Sequence, residues 1–166
     1  PAMKRWMAHM EEATMKDYIM TKDQYGDWCM PPESQELIHS KDPARKTDGA
    51  ILSTTVYYDL LNKMIGFARI CGQDADISGY ESLAAKIKAA YNAKFFNKET
   101  AEYGNNTVTA NILSLRLGLV PEGYEGKVFS NIVKKTEEDF NGHVSTGVLG
   151  IQHLMRGLTE YGRVDM

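Results

Sequence analysis

A ten-residue stretch near the start of the chain, QYGDWCMPPE at residues 24–33, concentrates residue types that could do chemistry. It holds two aromatic rings, Tyr25 and Trp28, and two acidic side chains, Asp27 and Glu33. An indole offers a broad apolar plane with one N–H donor, and a carboxylate accepts strong hydrogen bonds. The proline pair excludes a helix and the glycine weakens a strand, so these side chains are predicted to lie in a loop, where scaffolds often keep their binding groups.

Other residue types with chemical potential are scattered along the chain. Two cysteines are too few for a disulfide scaffold, and the four histidines lack zinc-ligand spacing, so we expect no metal and no cofactor. His143 precedes the last predicted helix, where it either points into a pocket or caps that helix together with Thr146. Glu33 is expected to be exposed, which makes it a weak catalytic candidate.

Composition narrows the class of protein. The chain has 166 residues, of which 43% are hydrophobic and 25% charged, which is typical of one globular domain. A formal net charge of -3 with both signs interspersed argues against nucleic acid and anionic membranes as partners. No apolar run is long enough to predict a membrane span. The chain starts at Pro1 without a methionine, which suggests a piece of something longer.

The apolar spacing predicts an all-α chain with six helices. Asp48 is expected to cap the second helix, and Ser78 with Glu81 resembles a capping box for the third. Pro121 is expected in the first turn of the fifth, and glycines are expected to end most of the helices. The predicted helices span residues 3–15, 50–71, 79–96, 108–117, 121–141 and 147–161.

Helix composition and connection length alternate along the chain. The second, fourth and sixth helices are apolar or small over a wide arc, whereas the third and fifth carry charged runs such as KKTEED. This alternation predicts two layers of antiparallel helices, with the second, fourth and sixth on the inner side. The three unusual connections, which hold YGDWCMPPE, TAEYGNN and NGHVSTG, should then share one face. The first of these, at about residues 19–47, is longer than usual for a structureless connection, and such loops are often functional.

Several segments, in this order, resemble one enzyme family: YGDW, YESLAAKIKAAYNAKFFN, ANILSLRLGLVPEG and GHVSTGVLGIQHLMRGLTEYGRVDM. They are similar to the catalytic (α/α)6 toroid of glycoside hydrolase family 78, the bacterial α-L-rhamnosidases. The resemblance covers nearly the whole chain after the first helix. It implies that residues 1–166 form a single partial domain from the middle of the toroid, built from antiparallel helical hairpins.

The resemblance also implies which residues bind the substrate and which catalyse its hydrolysis. Family members hydrolyse terminal α-L-rhamnosyl linkages with inversion, using a carboxylic acid and a carboxylate on either side of the sugar. Their acid lies before the GDW loop and their base after the HVSTG segment, so no catalytic residue is expected within this chain. Asp27, Trp28, Tyr25 and His143 are the predicted substrate-binding residues, and the partner is a rhamnose-containing oligosaccharide or glycoside. For Trp28 and Asp27 the alternatives are packing and loop capping.

Other interpretations remain open from the sequence. The same helices could serve another (α/α)6 glycosidase, or an α-solenoid that binds a peptide on its concave face. The solenoid is disfavoured because no repeat of fixed period is present and one loop is very long. A homodimer through exposed helix faces is expected if the toroid is incomplete, and the resemblance favours a periplasmic or secreted location.

Overall fold

The computed structural model describes residues 2–23, 25–31, 42 and 45–166. Glu33, together with residues 24, 32–41, 43 and 44 of the predicted long loop, therefore lies outside the described residues. The elements in chain order are α1 Ala2–Thr14, β1 Met15–Lys16, β2 Ile19–Met20, α2 Gly49–Ile70, α3 Asp74–Phe95, β3 Phe96–Asn97, β4 Glu102–Tyr103, α4 Val108–Arg116, α5 Glu125–Glu138 and α6 Val148–Glu160.

Helix α4 is the centre of the packing. Every residue from Val108 to Leu115 is buried, which fits the apolar and small side chains around this helix. Helices α2, α5 and α6 all pack against α4, and α3 packs along α2. The inner placement of α2, α4 and α6 and the outer placement of α3 and α5 are confirmed. A helix that is buried on every side can present no charged face, which explains the contrast with the charged runs of α3 and α5.

Several predicted helix ends are confirmed by cap geometry. The Asp48 carboxylate accepts a hydrogen bond of 2.7 Å from Ala50 N at the start of α2. Thr107 does the same for α4, accepting from Ala110 N at 3.1 Å. Gly72, Gly118 and Gly162, just beyond α2, α4 and α6, have φ of 63°, 75° and 80°. A residue in the left-handed backbone conformation lets the chain leave the helix while the last carbonyls of the helix stay hydrogen-bonded. Glycine adopts this conformation without steric cost.

Two predicted helix starts are wrong. Helix α3 begins at Asp74, with Gln73 as its N-cap, so Ser78 and Glu81 lie inside the helix and form no capping box. Acidic side chains in the first turn of α3 are favourable because they face the positive end of the helix dipole. Helix α5 begins at Glu125 instead of Pro121. Pro121 instead opens a turn, in which Tyr124 N donates to Pro121 O at 3.1 Å.

Two short β-hairpins that the helical pattern did not predict follow α1 and α3. Strand β1 pairs with β2, and β3 pairs with β4, both antiparallel. The first hairpin turns through Asp17 and Tyr18, whose φ values of 51° and 62° are typical of a type I′ turn. Met20 N then donates to Thr54 Oγ1 at 3.0 Å, which ties the hairpin to α2. Strand pairs of two residues are too short to show a period of two in the sequence.

The core beneath the second hairpin is aromatic and polar. The rings of Phe96 and Tyr103 lie 4.9 Å apart, and Tyr91 lies 5.4 Å from Tyr103. The Tyr91 hydroxyl shares a hydrogen bond of 2.7 Å with Ser114 Oγ, and the Tyr103 hydroxyl donates to Asn92 Oδ1 at 2.6 Å. Burial raises the pKa of both tyrosines, which keeps their hydroxyls neutral and able to donate.

Within the described residues, no helix is both long and apolar enough to cross a bilayer.

Candidate functional site: the rim at the N-terminal ends of the inner helices

The loops that precede α2, α4 and α6 meet at one end of the helical layers. The Thr47 and Thr107 hydroxyls share a hydrogen bond of 2.7 Å, which joins the first loop to the start of α4. Val148 N at the start of α6 donates to Trp28 O at 2.8 Å. We call this end the rim and define it by residues 25–31, 45–47, 104–107 and 143–147. The prediction that the GDW and HVSTG loops share one face is confirmed.

The Asp27 carboxylate is the most heavily bonded side chain of the rim. Its Oδ2 accepts from Gly147 N at 2.8 Å and from the hydroxyl of Thr109. Its Oδ1 accepts from Leu149 N at 3.0 Å and Gly150 N at 3.1 Å. Asp27 is only 8% exposed. An ionised carboxylate has about four acceptor positions, so these four bonds use its capacity.

Helix α6 accounts for the position of this carboxylate. The first N–H groups of a helix have no partner within it, and the N-cap Gly147 has no side chain to supply one. Asp27 therefore caps α6 from another loop, where a negative charge also faces the positive end of the helix dipole. A Cβ at Gly147 would overlap the carbonyl oxygens of Asp27 and Trp28, so glycine is needed for this close approach. The structure thus favours the loop-holding alternative for Asp27 over direct contact with a sugar.

Trp28 and Tyr25 extend away from this anchored backbone. Trp28 is 61% exposed and Tyr25 is 77% exposed. The exposure of Trp28 does not favour the alternative in which this side chain packs the loop onto the helices. The chain around them bends sharply, with φ of 68° at Gly26 and 59° at Cys29. The Asp23 carboxylate accepts from Gly26 N at 2.7 Å and closes the bend. Two large aromatic side chains are thereby held out at the rim, where a ligand could contact them.

His143 lies at the start of the last rim loop, and its side chain is exposed. Its backbone N donates to Phe140 O at 2.8 Å. The alternative in which His143 and Thr146 cap α6 is wrong, because Asp27 supplies that cap. Ser145 Oγ and Thr146 Oγ1 are buried and have no hydrogen-bond partner among the described residues.

Thr109 and Gly147 are not among the site residues predicted from the sequence. Both act through Asp27, which lies 82 residues before Thr109 and 120 before Gly147. The only local sign is the absence of a capping side chain at Gly147, which requires a cap from elsewhere. In the described part of the chain, no group of three or more His, Cys, Asp or Glu residues could hold a metal ion.

The sequence over residues 1–166 matches the family described as the bacterial alpha-L-rhamnosidase 6 hairpin glycosidase domain. The chain belongs to this family. It is 27% identical over 165 residues to an alpha-L-rhamnosidase of Formosa agariphila, a match that covers 99% of the chain and 17% of that relative. An alpha-L-rhamnosidase of Streptomyces avermitilis is 24% identical over the whole chain, which covers 14% of it.

Solved structures agree with this assignment. The alpha-L-rhamnosidase from Dictyoglumus thermophilum superposes with a TM-score of 0.84 at 29% identity, covering 97% of this chain and 18% of that one. The Streptomyces avermitilis alpha-L-rhamnosidase, solved in complex with L-rhamnose, has a TM-score of 0.83 at 23% identity, which shows the shared fold. Its match covers 99% of this chain and 14% of that one. The described helices therefore correspond to part of the helical domain of such enzymes, and the chain spans less than a fifth of each relative.

Proposed function

We propose that this chain supplies part of the sugar-binding rim of an α-L-rhamnosidase, which hydrolyses terminal α-L-rhamnosyl linkages with inversion. The observation that carries the proposal is the family match over the whole chain. The rim supports it, because an exposed indole and an exposed phenol project beside the N-terminal ends of α4 and α6. The Streptomyces avermitilis relative, solved with L-rhamnose, supports the choice of sugar.

Trp28 is the proposed contact for the apolar side of the sugar. Rhamnose is a 6-deoxy sugar, so it presents more C–H surface than its parent hexose, and an indole plane binds such a surface while its N–H can meet a hydroxyl. Tyr25, three residues earlier, offers a second ring with a hydroxyl that donates and accepts. His143 is proposed to contribute ring nitrogens from the neighbouring loop that precedes α6. Asp27 contributes by holding this loop to α6.

The proton transfers are proposed to come from outside residues 1–166. Inverting hydrolysis needs one carboxylic acid to protonate the leaving oxygen and one carboxylate to activate water, about 6.5–9.5 Å apart. Asp27 is unsuited to either role, because its oxygens already accept four hydrogen bonds. The family resemblance supports an acid that precedes the GDW loop and a base that follows the HVSTG segment. This chain would therefore bind and orient the sugar between them.

Substitution of Trp28 by alanine in the complete gene product tests this function. We expect kcat/KM for p-nitrophenyl α-L-rhamnoside to fall by about 10- to 100-fold, which corresponds to roughly 1.4–3 kcal/mol of lost transition-state stabilisation. The melting temperature should stay nearly constant, because a side chain that is 61% exposed contributes little burial to stability.

Trp6→Ala is the matched control. Trp6 is also a half-exposed indole, at 48%, but it lies on α1 and outside the rim. We expect its removal to leave rhamnoside turnover unchanged. If Trp28→Ala lowers activity only as far as it lowers the amount of folded protein, Trp28 is a packing residue and its assignment to the sugar site is wrong. If the unsubstituted enzyme prefers another glycoside, the sugar is wrong while the rim can still be correct.

A further inference from the structure

We infer that Asp27 is a positioning residue that sets the orientation of Trp28 by fastening the GDW loop to α4 and α6. This inference rests on the proposed function, in which Trp28 contacts the sugar. It assigns to Asp27 a role different from that of a sugar ligand, and it adds Thr109 and Gly147 to the set of residues on which binding depends.

The backbone of Asp27 and Trp28 is held from two directions. The Asp27 side chain accepts three backbone N–H groups of α6 and its cap, together with the Thr109 hydroxyl of α4. The carbonyl of the next residue, Trp28, accepts from Val148 N at 2.8 Å. Adjacent residues bonded to the same helix end leave the Trp28 Cα little freedom. The starting point of the indole is therefore fixed by contacts that the indole itself does not make.

The local backbone is not one that the loop would adopt by default. Cys29, directly after Trp28, has φ of 59°, a left-handed conformation that is unfavourable for a residue with a side chain. Such a residue keeps this conformation when its surroundings determine it, and residues of this kind are concentrated at binding sites. The Asp27 bonds supply that constraint on the side of α6. Without the Asp27 hydrogen bonds, we expect the loop to change conformation and the indole to adopt more than one orientation.

Direct sugar binding by Asp27 does not fit the same geometry. The carboxylate is 8% exposed, and its four acceptor positions are already used. A sugar hydroxyl could bond to it only by displacing a helix N–H group or the Thr109 hydroxyl, which would leave a buried donor without a partner. Positioning therefore explains both the burial of the carboxylate and the exposure of its neighbour Trp28.

A double-mutant cycle in the complete gene product separates these roles. We expect Asp27→Asn to lower kcat/KM for p-nitrophenyl α-L-rhamnoside by about tenfold or more, with a rise in KM, because small displacements of a binding group are costly. When Trp28→Ala is already present, Asp27→Asn should have no further effect on kcat/KM. Thr109→Val, which removes one donor to Asp27 at nearly constant volume, should show the same dependence on Trp28 if Asp27→Asn fails to fold.

Each other outcome overturns the inference. Multiplicative losses in the double variant would mean that Asp27 acts independently of Trp28, as a sugar ligand or through general stability. A fall in kcat at constant KM, in proportion to the folded fraction, would indicate a purely structural role. Asp76→Asn, in the first turn of α3, is the chemical control and should leave kcat/KM unchanged.

Hydrogen exchange tests the fastening without any substrate. In Asp27→Asn, peptides covering residues 26–30 and 147–150 should both exchange faster than in the unsubstituted protein. Faster exchange at 147–150 alone would mean that the carboxylate caps α6 without holding the Trp28 loop, and the inference would fail. If the unsubstituted enzyme does not hydrolyse rhamnosides, the proposed function fails, while this exchange measurement still decides whether Asp27 holds the loop.

Discussion

Arg116 illustrates how single residues join the inner helices below the rim. At the end of α4, its Nε and Nη2 donate to the two Glu160 carboxylate oxygens of α6, at 2.9 and 2.6 Å. Its Nη1 lies 3.3 Å from His153 Nδ1. A guanidinium can only donate, so His153 accepts through Nδ1 and is neutral in this arrangement. Burial and the neighbouring Arg116 lower the pKa of His153, against a smaller opposing effect of Asp59.

The lowered pKa of His153 predicts a pH dependence of stability. A histidine with a folded-state pKa below its unfolded value of 6.5 binds fewer protons when folded, so the free energy of unfolding falls as pH decreases through that value. We expect His153→Gln to remove this part of the pH dependence of the free energy of unfolding. The measurement is urea denaturation of both proteins at pH 7.5 and 5.5, which gives the difference in unfolding free energy between the two pH values. An equal difference in the two proteins would show that the folded and unfolded pKa values of His153 coincide.

Asp27 shows where prediction from the sequence stops at this scale. The GDW stretch was recognisable as a loop with chemical potential, and both a sugar-binding and a loop-holding role were open for its aspartate. The partners that favour the loop-holding role lie 82 to 123 residues later in the chain. A local pattern carries no information about such a partner. By contrast, the Asp48 cap lies two residues from the group it binds and was predicted correctly.

At the scale of helices, glycines set how closely α6 approaches α4. A Cβ at Gly150 would lie 2.6 Å from Thr109 Oγ1 and 2.7 Å from Thr146 Cβ. A Cβ at Gly157, two turns later, would lie 2.5 Å from Ile112 Cδ1. All three distances are shorter than a Cβ atom makes in real contacts, so α6 packs on α4 through these positions without a side chain of its own between them. Gly150 also donates one of the bonds that hold Asp27.

A matched pair of glycine substitutions tests this packing. Gly150→Ala should lower the free energy of unfolding by about 1–3 kcal/mol through overpacking. Gly66→Ala, in the interior of α2 with no described atom within 4 Å of the new Cβ, should raise it by roughly 0.5–1 kcal/mol because alanine loses less backbone entropy. Chemical denaturation of the two variants gives both values. Similar effects of the two substitutions would mean that α6 and α4 can move apart at little cost.

The helices were largely predictable because each long apolar pattern exceeded two turns and most ended at a glycine. The start of α3 was not, because Ser78 and Glu81 match a capping box that the chain does not use, while the N-cap Gln73 makes no side-chain cap. The hairpins were missed because each strand has two residues. Layer order was predictable from charge, since only helices with solvent on one side can carry charged runs.

At the scale of the whole molecule, apolar side chains remain exposed on helices at both ends of the chain. Met3 and Trp6 on α1 are 54% and 48% exposed, and Val148 and Met155 on α6 are 54% and 51% exposed. A groove of about 390 Å³ between α1 and α2 is lined mainly by apolar groups, among them Trp6. Contiguous apolar surface of this kind is usually covered by protein.

We therefore expect the isolated 166-residue chain to self-associate. Light scattering after gel filtration should give an apparent mass that rises with concentration above the 18.6 kDa of one chain. Met155→Lys should weaken this association. Val164→Lys is the control, because Val164 is 78% exposed but lies beyond α6. A strictly monomeric chain at millimolar concentration would contradict the expectation.

The isolated chain is also expected to be catalytically silent. The rim is proposed to bind a sugar, but the two proton transfers are proposed to come from outside this chain, and each is typically worth 10²–10⁴ in rate. Incubation of the purified chain with p-nitrophenyl α-L-rhamnoside should release no nitrophenol above the buffer rate. Turnover that co-purifies with the chain and disappears on substitution of Glu33 would place a catalytic carboxylate within these residues.

The bonds between Asp27 and α6 also have a consequence for biosynthesis. Gly150 N, the last of the three donors in α6 and its cap, follows Asp27 by 123 residues. At about 5–20 residues per second, a ribosome needs roughly 6–25 s to make the intervening chain. During that interval the carboxylate and the Trp28 loop have emerged without their partners. The proposed binding surface is therefore among the last parts of this segment to form, long after the first helices can pair.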